Sequence, residues 1–177
     1  MLGNKGIGVI SAKDEQPIVI NCKFGEFAIA TNGFIENSDS LANKIYKEGR
    51  SFSEVTQGRV NLTELAAKLI IRGKDITDGI ERMFAQIQGS CSLLILNKNG
   101  LYIARDKLGI SPLVIGRRGS DFAVTTEVSA FLNLGYKVIK FVAPGEIILL
   151  NDGGLKVKRR GILRNQICSF LWIYTGF

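Results

Sequence analysis

Apolar residues enter this chain in short bursts separated by polar or glycine-containing breaks. Residues 7–10, then Pro17-Ile18-Val19-Ile20, then 24–30 with Glu26 among them, are strand-length and rich in β-branched side chains, and each predicts a strand. The period then lengthens. Over 39–48, Leu41, Ala42, Ile45 and Tyr46 share one helical face, with Ser38 as candidate N-cap and Gly49 just past the end. Asn61, with Glu64 three residues on, opens a second helix in the manner of a capping box, and its stripe of Leu65, Ala66, Leu69 and Ile70 closes at Gly73. A third helix carries Ile76, Ile80, Met83, Phe84 and Ile87 before Gly89. The three stripes predict core faces rather than cofactor sites.

Beyond Gly89 the pattern returns to strands, over 91–96, 101–104, 113–115, 122–125 and 147–150. Asn99-Gly100, between two apolar runs, predicts a hairpin. A short helix over 127–134 ends at Gly135. Strands, then helices, then hairpin-linked strands give an α+β layered fold with antiparallel sheets, because regular βαβ alternation is missing. A length of 177 residues suits one domain. No apolar run approaches the roughly 20 residues that span a bilayer, and the start lacks the features of a signal peptide, so the cytoplasm is the expected location. The segment Ile167-Cys168-Ser169-Phe170-Leu171-Trp172-Ile173-Tyr174 stays apolar almost to Phe177, which reads as a chain continuing into a larger protein.

Chemistry narrows the picture further. The chain has no histidine, which removes Ser-His-Asp and Cys-His nucleophile pairs and imidazole metal sites. Cys22, Cys91 and Cys168 stand far apart without CxxC spacing, as expected of reduced, mostly buried thiols. The formal net charge of +7 raises binding to nucleic acid or anionic substrates. The one dense basic cluster, Lys156-Val157-Lys158-Arg159-Arg160, lacks interleaved aromatic residues, so it is read as a solvated tail and nucleic acid is not an expected partner.

Ala30-Thr31-Asn32-Gly33-Phe34-Ile35-Glu36-Asn37, ahead of a helix, resembles the segment of class II glutamine amidotransferases in which an Asn-Gly pair ends a core strand. A more specific match is Arg105-Asp106-Lys107-Leu108-Gly109-Ile110-Ser111-Pro112-Leu113-Val114-Ile115-Gly116, which looks like the RDxxGxxPLxxG run of that family. It follows Gly89-Ser90-Cys91-Ser92-Leu93-Leu94 and Leu101-Tyr102-Ile103-Ala104, and precedes Thr126-Glu127, Asn133-Leu134-Gly135 and Pro144-Gly145-Glu146-Ile147, in family order. Within that family, Gly3-Asn4-Lys5-Gly6-Ile7-Gly8, Ala67-Lys68-Leu69-Ile70-Ile71 and the apolar end resemble a divergent branch of the amidophosphoribosyltransferases.

The resemblance implies a four-layer αββα sandwich of the N-terminal-nucleophile hydrolase type, here incomplete. Residues 1–165 would form the amidotransferase-like domain, and 166–177 would begin the connection to a phosphoribosyltransferase domain, its expected partner in a homo-oligomeric parent. The parent reaction would make phosphoribosylamine from phosphoribosyl pyrophosphate, with ammonia drawn from glutamine. Asn32 and Gly33 would form the oxyanion hole, because amide hydrolysis pushes negative charge onto the carbonyl oxygen and fixed donors stabilise it as it develops. Arg105 and Asp106 would be architectural, holding backbone groups or each other at a strand-to-loop corner. No cofactor is expected in this stretch.

Three positions depart from the family pattern. Its nucleophile is a cysteine at the mature N-terminus, whereas all three cysteines here are internal. Ser11 stands where the resemblance places an Arg for the substrate carboxylate, and Leu62 where it places an Asp for the substrate ammonium. The chain by itself is therefore expected not to hydrolyse glutamine, and its glutamine binding to be impaired. The alternative is a degenerate pseudo-glutaminase with a structural or regulatory role.

Overall fold

The computed structural model describes residues 4–11, 14–53, 55–56 and 58–162. Its centre is a six-stranded antiparallel sheet in the order β1-β2-β5-β6-β10-β11, comprising β1 (Ile18–Cys22), β2 (Gly25–Ile35), β5 (Gly89–Asn97), β6 (Gly100–Ala104), β10 (Ile147–Asn151) and β11 (Gly154–Arg159). Between β2 and β5 run α1 (Ser38–Lys47), the two-stranded ribbon β3 (Val55–Thr56) and β4 (Arg59–Val60), then α2 (Leu62–Ile70) and α3 (Ile76–Gln86). A three-stranded sheet, in the order β8-β7-β9, holds β7 (Val114–Arg118), β8 (Asp121–Thr125) and β9 (Lys137–Phe141), with α4 (Ser129–Leu134) between the last two.

Side-chain alternation along β2 explains the layering. Phe27, Ile29 and Ile35 point to the helices, where they join Leu41, Ile45, Leu65, Leu69, Ile80, Met83 and Phe84 in the larger core. The even positions, Ala28, Ala30, Asn32 and Phe34, face the other way. On that second face Ile103 and Ile148 pack with Leu113, Ile115 and Val142, so the small sheet lies over the large one. Gly116, the next residue along β7 from Ile115, points outward, and a Cβ there would meet the Phe131 ring of α4 at 2.9 Å. The layers are thus helices, large sheet, small sheet and α4, the αββα order expected.

The helical stripes lie where their periodicity put them, except that Tyr46 is exposed and Ile87, though buried, follows the end of α3; the Asn61 side chain accepts from the Thr63 and Glu64 amides as an N-cap. Several boundaries differ. Residues 7–10 form no strand. α1 begins at Ser38, so its cap position is Asn37, whose side chain instead donates to Gln86 O and accepts from Gln88 N. The β5–β6 hairpin turns on Lys98-Asn99, because Gly100 already pairs with Asn97. The short helix starts two residues later than expected, since Glu127 is engaged in a turn with Thr125. The basic cluster is no tail: residues 154–159 form β11, paired along β10, with lysines on an exposed sheet edge where charge discourages pairing with other chains. β9 lacked a sequence signal, since Val138, Ile139 and Phe141 are exposed and Lys137 and Lys140 break their run. The apolar segment 167–174, and with it the domain boundary at 165, lies outside the described residues.

Candidate functional site

A cleft of about 490 Å³ opens between the two sheets. The large sheet contributes Ala30, Thr31, Asn32, Ser92, Leu93 and Leu94, the small-sheet side contributes Leu113, Val124, Thr125, Thr126 and Glu127, and Gly8, Val9 and Ile10 close the rim. The glycine-led segment therefore reaches the site even though it is not a strand.

Asn32 and Gly33 do not end β2, which continues through Phe34 to Ile35, paired with Ser90 and Gly89. The extra pairs form because two glycines let the backbones approach. A Cβ on Gly33 (φ +143°) would lie 2.2 Å from Ser90 O, and one on Gly89 (φ +101°) would lie 2.3 Å from Phe34 O. Asn32 sits opposite Ser92 on the face turned away from the helices, is exposed to the cleft, and its side-chain amide makes no hydrogen bond among the described residues.

Behind Ser92 lies a buried polar knot. The Asp106 carboxylate is fully buried and accepts from Leu108 N (3.0 Å), Ile110 N (3.2 Å), Ser111 N (2.9 Å) and the Ser92 hydroxyl (3.2 Å). The Ser92 oxygen in turn accepts from Asp106 N at 3.0 Å. The Arg105 guanidinium donates to the carbonyls of Ser111, Val142 and Gly109. Burial lowers its pKa, against a smaller opposing pull from Asp106. The two motif residues thus hold backbone groups, one as acceptor and one as donor, and fix the loop leading to the cleft residue Leu113. Both follow from the expected strand-to-loop corner.

Neither of the two described cysteines lines the cleft. Cys91 is buried in the larger core, and desolvation, with a further push from Asp106, raises its thiol to about 12. At neutral pH the reactive thiolate is then present at about one part in 10⁵. Cys22 Sγ sits in the β1–β2 turn, donating to Gly25 O and accepting from Phe24 N. Cys168 lies outside the described residues. Of the other two departures from the pattern, Leu62 packs against the helical core, and the Ser11 hydroxyl accepts from Asp14 N. Neither lines the cleft.

Sequence reasoning did not single out the network that binds the chain start to this site. Gln16 Oε1 accepts from Thr31 N at 2.8 Å and from the Thr63 hydroxyl, which also bonds the Thr31 hydroxyl, while Asn61 Nδ2 donates to Glu15 O. It joins residues far apart in the chain, so no local pattern announces it. Glu127 stood in the sequence only as part of the Thr126-Glu127 block, and it now lines the cleft.

The sequence profile described as "Glutamine amidotransferase domain" matches residues 5–133, well over half of the chain. The chain belongs to this glutamine amidotransferase family. It is 32% identical to the amidophosphoribosyltransferase of Archaeoglobus fulgidus over 163 residues, 92% of this chain and 35% of the relative. It is 33% identical to that of Methanothermobacter thermautotrophicus, over 97% of this chain and 38% of the relative. Its fold superposes on the glutamine phosphoribosylpyrophosphate amidotransferase of B. subtilis, solved with ADP and GMP, with a TM-score of 0.78 and 29% identity over 92% of this chain and 36% of that one. The chain thus spans a little over a third of the length of these relatives.

Proposed function

We propose that this chain is the glutamine-side module of an amidophosphoribosyltransferase, the enzyme that makes phosphoribosylamine from phosphoribosyl pyrophosphate. In this reading the inter-sheet cleft receives a primary carboxamide, and Asn32 donates its side-chain amide to the carbonyl oxygen, with the Gly33 amide as second donor. The observation that carries it is the Asn32 amide on the cleft wall, without a hydrogen-bond partner among the described residues and held against β5 by backbone contact that only glycine at 33 permits. A donor already aimed at the site needs no reorganisation as charge builds on the oxygen.

The attacking thiol is not Cys91, whose burial keeps it protonated, nor Cys22, which is tied into a turn away from the cleft. Cys168, like these two, is internal and has no free α-amine beside its thiol, so the 177 residues by themselves should release no ammonia from glutamine. A second reading, a degenerate pseudo-glutaminase docked on a phosphoribosyltransferase domain, is favoured by the uncharged Ser11 and by Leu62 packed into the helical core. One experiment separates the two: the enzyme expressed from the whole gene is assayed with glutamine and with ammonia. On the first reading Asn32→Ala lowers the glutamine-dependent rate by about 10²- to 10³-fold and spares the ammonia-dependent rate. Activity with ammonia alone in the parent enzyme selects the second reading. Equal loss of both rates in Asn32→Ala removes the oxyanion role.

A further inference from the structure

From Phe27 to Ile35 β2 is paired with β5, but on its other edge β1 reaches only as far as the pair Ile18 and Ile29. The stretch that carries Asn32 and Gly33 therefore has no strand on that edge among the described residues. A side chain supplies the missing rung. Continued by two residues, the β1–β2 register sets residue 16 opposite Thr31, and Gln16 Oε1 accepts from Thr31 N at 2.8 Å. The same oxygen accepts from the Thr63 hydroxyl at 3.1 Å. A hydroxyl has one proton to give, so the 2.6 Å contact between the two threonine hydroxyls runs from Thr31 to Thr63. Thr63 is fully buried in the first turn of α2, its amide held by Asn61, and Asn61 Nδ2 returns to Glu15 O at 2.9 Å. The ring closes there, tying β2 immediately before Asn32 to the start of α2.

We infer that Gln16 is a positioning residue for the carboxamide site, holding the Thr31 amide so that β2 presents Asn32 and Gly33 to the cleft in one fixed orientation. This rests on the reading of the cleft as a carboxamide site. Successive side chains of a strand point to opposite faces, so a Thr31 locked toward Thr63 and α2 sets Asn32 toward the cleft. The hold is needed because the next residue is Gly33, at φ +143°, which by itself restrains the backbone least. Without Gln16 the strand would be gripped from the β5 edge alone at its most pliant point. Donors stabilise a developing oxyanion only while they stay aimed at it, and a displacement of about 1 Å costs on the order of 10²-fold in rate.

The test uses Gln16→Leu, which keeps the bulk of the side chain and removes the acceptor, and Gln16→Glu, which keeps an acceptor oxygen in either protonation state. In the enzyme expressed from the whole gene, Gln16→Leu is expected to lower kcat with glutamine about 10- to 100-fold, to change KM for glutamine by less than about threefold and to leave the rate with ammonia unchanged. Gln16→Glu should recover most of the loss. In the 177-residue chain, hydrogen exchange at the Thr31 amide should become about tenfold faster in Gln16→Leu, with α3 and β6 unaffected. An equal fall of both rates, a loss that Gln16→Glu does not relieve, or Thr31 exchange that ignores Gln16→Leu overturns the inference. If Asn32→Ala lowers the glutamine rate selectively while Gln16→Leu leaves it unchanged, the carboxamide reading stands and the positioning role fails. If the unmodified enzyme works with ammonia alone, the carboxamide reading fails and the positioning role falls with it.

Discussion

Cys91 shows how one side chain can serve the core and be excluded from chemistry by the same burial. Its thiol lies among Ile95, Leu93 and the helical residues, and the charged form is penalised there first by desolvation and then by Asp106. A thiol ordinarily near 9.0 and raised to about 12 in the fold ionises in the unfolded chain first. Its contribution is complete below the ordinary value, and stability falls as pH rises from there until the folded thiol also titrates. Equilibrium urea unfolding at pH 8 and pH 10.5 should therefore show a loss at the higher pH that shrinks by about 2 kcal/mol in Cys91→Ala. An unchanged difference between the two pH values would mean that the thiol is not desolvated. Gly33 belongs to the same scale. Its positive φ and the 2.2 Å approach of Ser90 O make Gly33→Ala doubly unfavourable, and thermal unfolding should detect a loss of about 2 kcal/mol or more, whereas the same change at the open-turn residue Gly25 costs about 1.

At the level of elements, α2 and the loop after β6 show what local pattern can and cannot reveal. Asn61 was legible as a cap because its partners are two and three residues away, and both bonds form at 2.8 and 3.2 Å. Asn61→Ala should lower stability by about 1 to 2 kcal/mol in chemical denaturation, since its two partner amides are buried, and Asn61→Asp should recover part of that. The loop over 105–111 was legible as architectural from its motif. Its mechanism was not, because Asp106 reaches back to Ser92 on β5 and Arg105 reaches forward to Val142. In Asp106→Asn an amide group replaces an acceptor that faces three backbone N–H groups. The expected cost is about 3 kcal/mol, read in the same denaturation experiment, and a change below 1 would contradict the knot as described. The readings that failed have physical reasons of their own. The backbone of residues 7–10 forms no ladder, and β11 and β9 are edge strands whose charged or exposed residues hide the period of two. Asn32-Gly33 reads as a strand end because the pair so often turns a chain, and only the opposing Gly89 allows β2 to continue.

Across the whole molecule the two cores are unequal. Among the described residues, 24 buried side chains form the cluster between the helices and the large sheet, while five form the one between the sheets, so the layer carrying half of the cleft is the less firmly held. The layering itself was legible from the order of strands, helices and hairpins. The imbalance was not, because it depends on which face of each strand finds a partner. Val19 and Phe34, on the inner face of β1 and β2, remain 63% and 65% exposed beyond the reach of the small sheet. Local opening should follow this inequality, since a unit with few buried apolar contacts separates at low free energy while the rest of the fold persists. Native-state hydrogen exchange is the measurement. Amides of β7, β8 and β9 are expected to exchange through sub-global opening well below the global unfolding free energy, and those of α2, β2 and β5 only near it. A carboxamide ligand held in the cleft lies between walls from both layers, so saturating amounts should slow exchange in the small sheet selectively and leave β2 and β5 nearly unchanged. Uniform slowing across both sheets, or none in the small one, would show that the ligand does not span the two layers.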